Sequence, residues 1–97
     1  MIASGPTSQT FISQRLKLNY CDWGNPEKPP LVLVHGGRYH ARCWDWAAEQ
    51  LSEDWHVVAM DHRGHGDSDW VSDGNYRVND MVYDLAQLVH QLGVGPV

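Results

Sequence analysis

Hydrophobic and polar residues alternate along the first part of the chain. Leu16, Leu18 and Tyr20 are separated by single polar residues. This period of two indicates a half-buried strand, and pairing it with residues 11–13 predicts an antiparallel hairpin. Residues 24–30, which read GNPEKPP, are dense in turn formers and end the hairpin.

Further along, the hydrophobic pattern predicts two strands and two helices. Residues 31–34 and 57–60 are apolar at every position, which is typical of strands covered on both faces in a parallel sheet. Residues 44–51 fit a short amphipathic helix, and residues 82–92 carry apolar side chains at helical spacing. Gly93 follows directly and suits the left-handed residue that ends a helix. Alternating strands and helices predict an α/β fold with right-handed crossovers.

Composition narrows the possible classes of protein. The 97 residues are 42% hydrophobic and carry a net charge of −5, which fits one small globular domain. No basic patch is present, so a nucleic-acid partner is not expected. The longest purely aliphatic run has four residues, which argues against a membrane span. Cys21 and Cys43 form no C-x-x-C pair, and the polar residues 1–10 do not resemble a secretory signal. Free thiols and a cytoplasmic location are therefore expected.

Two motifs connect this pattern to a known family. Residues 31–37 read LVLVHGG, and residues 61–68 read DHRGHGDS. A strand ending in His-Gly, followed by a second strand ending in D-x-R-G-x-G-x-S, resembles the N-terminal portion of the α/β-hydrolase family. In that family a third strand then delivers the nucleophile on a G-x-S-x-G elbow. Val97 comes where that strand should begin, so the resemblance implies a sequence truncated before the elbow.

The resemblance implies a domain layout and a sheet architecture. Residues 1–10 are expected to be a flexible N-terminus, and residues 11–97 a partial α/β-hydrolase domain. The sheet should begin with the antiparallel hairpin and continue with parallel strands joined by crossover helices. The strand of residues 57–60 should lie between the hairpin and the strand of residues 31–34. The nucleophile, acid and base of the family have no counterparts within these residues.

The resemblance also assigns a candidate oxyanion hole. In the family, the residue after His-Gly supplies a backbone N–H that stabilises the oxyanion formed during acyl transfer. This role falls on Gly37, with Arg38 next in line. A glycine turn that merely ends a strand is the alternative.

The other polar residues of the two motifs are predicted to be structural. His35 should hydrogen-bond the backbone of a neighbouring loop and hold Gly37 in place, because the family's catalytic histidine lies late in the chain. Asp61 and Arg63 can form a local ion pair that fixes the second motif. Ser68 nearly completes a G-x-S-x-G pattern with Trp70 in the last place. It lies in a polar loop well past its strand, so it is not expected to be a nucleophile.

Metal and aromatic sites are also conceivable. His62, His65 and Asp67 could converge on one loop, but no H-E-x-x-H or C-x-x-C frame accompanies them. We expect no metal and no cofactor, since triad chemistry needs none. Trp44 and Trp46 could line an acyl pocket, although core packing is the more ordinary role of such residues.

The branch of the α/β-hydrolase family to which a sequence belongs indicates which bond it hydrolyses. Epoxide hydrolases and haloalkane dehalogenases, which use an aspartate nucleophile, commonly have a proline soon after His-Gly. This chain has Gly37-Arg38-Tyr39 there, which favours hydrolysis of a carboxylic ester or a related acyl compound. The substrate would be a small molecule. A non-catalytic α/β module and an inactive fragment remain alternatives. The strand of residues 31–34 would lie at an unprotected edge, so self-association through it is expected.

Overall fold

The computed structural model describes residues 5–36, 39–71, 76–93 and 96–97. One four-stranded sheet has its strands in the order β1-β2-β4-β3. The strands are β1 (Thr7–Ser13), β2 (Leu16–Asp22), β3 (Pro30–Val34) and β4 (His56–Met60). A short 3₁₀ helix (Ala41–Trp44) leads into helix α1 (Asp45–Leu51), and helix α2 (Val78–Leu92) follows β4. The predicted α/β class and the predicted strand order are both confirmed.

The hairpin forms as the alternating pattern predicts. β1 and β2 pair antiparallel in a register that places Phe11 opposite Leu18. Gln14 and Arg15 join them with φ angles of 49° and 69°. Two successive left-handed residues are characteristic of the turns whose twist matches a hairpin. β1 begins at Thr7, so it includes four residues of the segment that the sequence analysis assigned to the N-terminus.

The two apolar strands differ in how well they are covered. β4 lies between its neighbours, antiparallel to β2 and parallel to β3, and all five of its residues are buried. β3 has β4 on one side, and each of its five residues is only half-buried. In the described part of the chain β3 is the last strand of the sheet. The prediction that both strands are covered on both faces therefore holds fully for β4 and only in part for β3, whose Val32 packs on one face and Leu33 on the other.

The residues of β4 alternate between two core clusters. Val58 and Met60 contact the cluster beneath α2, which includes Leu88 with no exposed surface. Val57 and Ala59 face the other side of the sheet, where the 3₁₀ helix and α1 lie. Burial of aliphatic side chains stabilises such a layer by about 1.5–3 kcal/mol per residue. β4 therefore joins both halves of the core and positions the loop that follows it.

A buried ion pair attaches that loop to α2. Nε of Arg63 donates to Oδ2 of Asp84 at 2.7 Å, and a second guanidinium nitrogen donates to Oδ1 at 2.9 Å. Both side chains are almost fully buried. Ser13 also donates to Oδ1 of Asp84 at 2.6 Å, which ties the hairpin to the same carboxylate. The local pairing predicted between Arg63 and Asp61 is wrong in its partner, because the carboxylate on α2 lies opposite the guanidinium.

The two cysteines are unpaired, as their spacing predicts. Cys21 is buried and Cys43 is exposed, and both are free thiols. Burial raises the pKa of the Cys21 thiol, and the nearby carboxylate of Asp61 raises it further. Among the described residues, no helix has the length and apolar character needed to cross a bilayer.

We expect Asp84→Ala to lower the free energy of unfolding by about 3–5 kcal/mol, because it leaves the Arg63 guanidinium buried without this carboxylate. Asp80→Ala on the same helix is the matched control. Asp80 lies in the first turn, where its charge interacts mainly with the helix dipole, and its loss should cost less than about 1 kcal/mol. Urea unfolding of both variants at one protein concentration measures the difference. Equal losses would show that the buried pair contributes nothing beyond helix electrostatics.

Candidate functional site

The carboxyl ends of the two parallel strands meet at one edge of the sheet. Val34 at the end of β3 lies beside Met60 at the end of β4. His35 and Asp61 are the next residues after the two strands, so the His-Gly pair of the first motif lies beside the start of the second motif. Ligands of open α/β sheets bind beyond this edge. The parallel register thus brings together two motifs that are far apart in the sequence.

His35 connects the two loops through both nitrogens of its ring. Nδ1 lies 2.5 Å from the carbonyl oxygen of Gly36, and Nε2 lies 3.0 Å from the backbone nitrogen of His62. The backbone N–H donates to Nε2, so this ring nitrogen is the acceptor and Nδ1 carries the proton. His35 is 4% exposed. The predicted structural role, hydrogen bonding to loop backbone, is confirmed.

Two further imidazoles pack against His35. The ring centroids of His35 and His62 are 4.5 Å apart, and those of His35 and His65 are 5.2 Å apart. Burial lowers the pKa of both His35 and His62, and the proximity of the other rings lowers it further. His65 uses its Nδ1 to reach the carbonyl oxygen of Arg63 at 2.9 Å. No local sequence pattern indicates this cluster, because only the register of β3 beside β4 brings the three rings together.

The Asp61 carboxylate is buried and accepts three hydrogen bonds. Its Oδ1 accepts the backbone N–H of Ala41 at 2.6 Å, at the start of the 3₁₀ helix. Its Oδ2 accepts the Asn19 side-chain amide at 2.9 Å and the backbone N–H of Asp67 at 3.1 Å. Hydrogen bonds to a charged acceptor are worth about 1.5–3 kcal/mol each. One carboxylate therefore fixes β2, the 3₁₀ helix and its own loop to each other.

Two glycines give the second motif its shape. Gly64 and Gly66 have φ angles of 73° and 51°, which L-residues with a Cβ rarely adopt. A Cβ at Gly66 would overlap the Asp61 carboxylate, and one at Gly64 would overlap the ring of Tyr76. Both positions therefore require glycine for two reasons, the left-handed backbone and the lack of space for a side chain.

Ser68, Trp44 and Trp46 differ in their burial and contacts. The Ser68 hydroxyl donates to the carbonyl oxygen of Asp61 at 2.8 Å and accepts the backbone N–H of Asn19 at 2.8 Å. This buried hydroxyl links its loop to β2, a structural role that accords with the expectation that Ser68 is not a nucleophile. Trp44 is half-buried against a core cluster, whereas Trp46 is 77% exposed. The core role expected for the tryptophans therefore holds for Trp44 and is wrong for Trp46.

Gly37 and Arg38, the predicted oxyanion-hole residues, lie outside the described residues, so their role stays a prediction. The chain on either side is described. Gly36 ends the stretch anchored by His35, and Tyr39 donates its backbone N–H to the Gly36 carbonyl oxygen at 3.3 Å. Within the described ranges no three His, Cys, Asp or Glu side chains converge as metal ligands, and His62, His65 and Asp67 are no exception.

We expect Gly66→Ala to destabilise the fold more than Gly24→Ala does. Both glycines have positive φ, so alanine at either position costs about 1–2 kcal/mol in backbone strain. At Gly24 a Cβ would meet nothing within 4 Å, which makes it the matched control. At Gly66 the Asp61 carboxylate must shift, and lost hydrogen bonds add about 1–3 kcal/mol. Thermal unfolding compares the two variants, and equal shifts would argue against the Asp61 contacts.

Comparisons with known proteins agree with this arrangement. The family model for serine aminopeptidase S33 matches residues 25–95. The 3-hydroxybutyrate-oligomer hydrolase of Cupriavidus necator is 37% identical over 83 residues, which are 84% of this chain and 28% of that protein. Human epoxide hydrolase 4 is 28% identical over 79 residues, covering 80% of this chain and 22% of that protein.

The solved structures give the same result for the fold. A thioesterase domain from the curacin biosynthetic pathway superposes with a TM-score of 0.90 at 23% identity, over 97% of this chain and 34% of that domain. This chain thus spans about a third or less of the proteins that it matches. The matched residues include both motifs and every strand from β3 onward. The chain belongs to the α/β-hydrolase family, in the group described by the serine aminopeptidase S33 model.

Proposed function

We propose that these residues form the oxyanion-hole side of a hydrolase acting on a carboxylic ester or a related acyl compound of small size. The observation that carries the proposal is the double hydrogen bonding of His35. Its ring holds the Gly36 carbonyl and the His62 amide together, so the chain entering Gly37 is anchored at the ligand-binding edge of the sheet. A backbone donor can stabilise an oxyanion only if it is fixed before the reaction begins.

Two observations favour ester chemistry over the aspartate-nucleophile branches. The chain has Gly37-Arg38-Tyr39 where those branches commonly have a proline. The relative that is 37% identical carries the name of an oligomer hydrolase. Similarity to an epoxide hydrolase at 28% identity keeps epoxide opening as the second candidate. We propose no nucleic-acid partner, because the net charge is −5. We also propose a reducing cytoplasmic location, which accords with the two free thiols.

We expect Gly37→Pro to lower kcat for a p-nitrophenyl ester about a hundredfold or more, because proline has no backbone N–H. The experiment uses a protein that contains these residues together with the remaining elements of the fold. Gly37→Ala is the matched control, since alanine keeps the N–H at the same position. Thermal unfolding of each variant separates loss of catalysis from loss of fold.

Inhibitor sensitivity then distinguishes the two candidate reactions. A fluorophosphonate that abolishes ester turnover indicates a serine nucleophile and supports the acyl hydrolase. Turnover of an epoxide that is insensitive to the fluorophosphonate indicates the aspartate branch instead. Equal kcat values for Gly37→Pro and Gly37→Ala in folded protein would contradict the oxyanion role of Gly37.

We also propose that a polypeptide of these 97 residues self-associates along β3. A groove of about 350 Å³ lies between β3 and α2, and its lining is entirely aliphatic: Leu31, Val32, Val34, Leu85, Val89 and Val97. β3 carries none of the charges or prolines that protect natural edge strands, apart from Pro30 at its first position. Apolar surface of this kind favours association in water.

We expect sedimentation of the 97-residue polypeptide to show oligomers, and Val34→Lys to shift them toward monomer. Val34 lines the groove, and a lysine on an edge strand opposes pairing with a second edge. Val78→Lys is the control, because Val78 is 74% exposed on α2 and is not part of the groove. A stable monomer with strongly protected amides across β3 would contradict the proposal.

A further inference from the structure

The histidine cluster, defined as His35, His62 and His65, does more than fill space between two loops. Its central ring is the acceptor of a backbone hydrogen bond, from the His62 N–H to Nε2 of His35 at 3.0 Å. An imidazole nitrogen can accept a hydrogen bond only while it carries no proton. The connection between the two loops therefore exists in only one protonation state of His35.

We propose that the histidine cluster is a pH-sensitive latch between the loop that follows β3 and the loop that follows β4. The latch holds the two loops together when its rings are neutral and releases them when His35 takes up a proton. This goes beyond the proposed hydrolase activity and does not depend on it. The latch concerns the contact between two loops, and its test measures protonation and amide exchange without turnover.

Protonation of His35 would break the contact in a specific way. A proton on Nε2 would face the His62 N–H, so two donors would meet and neither would have an acceptor. Nδ1 already uses its proton toward the Gly36 carbonyl oxygen at 2.5 Å, so rotating the ring would sacrifice that bond as well. The charged ring would also lie 4.5 Å and 5.2 Å from two other imidazoles. Release of the loop separates the two donors and lets water solvate the charged ring.

The surrounding charges act in both directions. His40, from the loop before the 3₁₀ helix, disfavours a charge on His35, whereas the Asp61 carboxylate favours it. Asp84 on α2 favours a charge on His62. That carboxylate is engaged by Arg63, which offsets its negative charge. Asp61 is likewise engaged by three hydrogen-bond donors. Burial outweighs these attractions, so the pKa of His35 and that of His62 are lowered.

The direction of the pH effect follows from these shifts. The ordinary pKa of both imidazoles is 6.5, and burial lowers it in the folded chain. The unfolded chain therefore binds protons at a higher pH than the folded chain does. Stability from the latch is complete above about pH 6.5 and declines as the pH falls toward the lowered pKa values of the folded chain.

The test follows hydrogen exchange in the 97-residue polypeptide by mass spectrometry between about pH 8 and about pH 5. Deuterium uptake at the imidazole Cε1 reports the titration of each histidine, and we expect His35 to titrate lower in the folded chain than in urea. We expect protection of the His62 amide, corrected for its intrinsic rate, to fall about tenfold per pH unit below the pKa of folded His35.

Two variants separate the latch from other acid effects. His35→Gln cannot titrate and still offers an acceptor oxygen, so protection of the His62 amide should lose its pH dependence. His90→Gln, at an exposed position on α2, should behave like the unmodified chain. An unchanged His62 amide across the pH range, or the same decline in His35→Gln, would overturn the latch. If His35→Gln does not fold, the unmodified chain decides: titration of His35 at or above its value in urea overturns the proposal.

Discussion

The arrangement of both motifs depends on one buried carboxylate. Asp61 accepts hydrogen bonds from the start of the 3₁₀ helix, from the side chain of Asn19 on β2, and from Asp67 in its own loop. A buried charge is tolerated only when it is well solvated by donors, because its transfer from water costs several kcal/mol. The need to satisfy Asp61 therefore dictates where three separate backbone segments lie. It also explains why Gly66 has no room for a side chain.

A second carboxylate fixes the same loop by a different physical means. Asp84 has no exposed surface and is neutralised by the Arg63 guanidinium, with Ser13 as a further donor. Asp61 is satisfied mainly by backbone amides, whereas Asp84 is satisfied by a full positive charge. The loop after β4 is thus held at both ends, toward the 3₁₀ helix and toward α2. Such double attachment is how an irregular loop can present backbone groups at fixed positions.

Local sequence patterns predicted the strands and helices, because the formation of each one depends on the spacing of apolar residues close together in the chain. The hairpin, the apolar β4 and the Gly93 end of α2 all follow from neighbouring residues. The partner of Arg63 could not be predicted, because Asp84 lies 21 residues away on a helix face that only tertiary packing defines. The strand order came from the family resemblance and not from the pattern itself.

The sequence predicted the role of one residue of the candidate site but not the packing around it. The structural role of His35 followed from the family resemblance, because the family's catalytic histidine lies late in the chain, and the predicted hydrogen bonding to loop backbone is confirmed. The packing of His62 and His65 onto that ring depends on the parallel register, which no local pattern encodes. Residues 57–60 and 31–34 are equally apolar in the sequence. Their burial differs because β4 has a strand on each side, whereas β3 has a neighbouring strand on one side in the described part of the chain. The oxyanion role of Gly37 stays a prediction.

The position of β4 between β2 and β3 has a consequence for synthesis on the ribosome. β3 is made before β4, but its partner in the sheet is β4 and not the hairpin that precedes it. About 26 residues separate the end of β3 from the end of β4, which takes about one to five seconds at ordinary elongation rates. During that interval the hairpin is complete and β3 has no strand to pair with. A nascent chain of this design therefore passes through a stage in which its most aliphatic strand is available to chaperones.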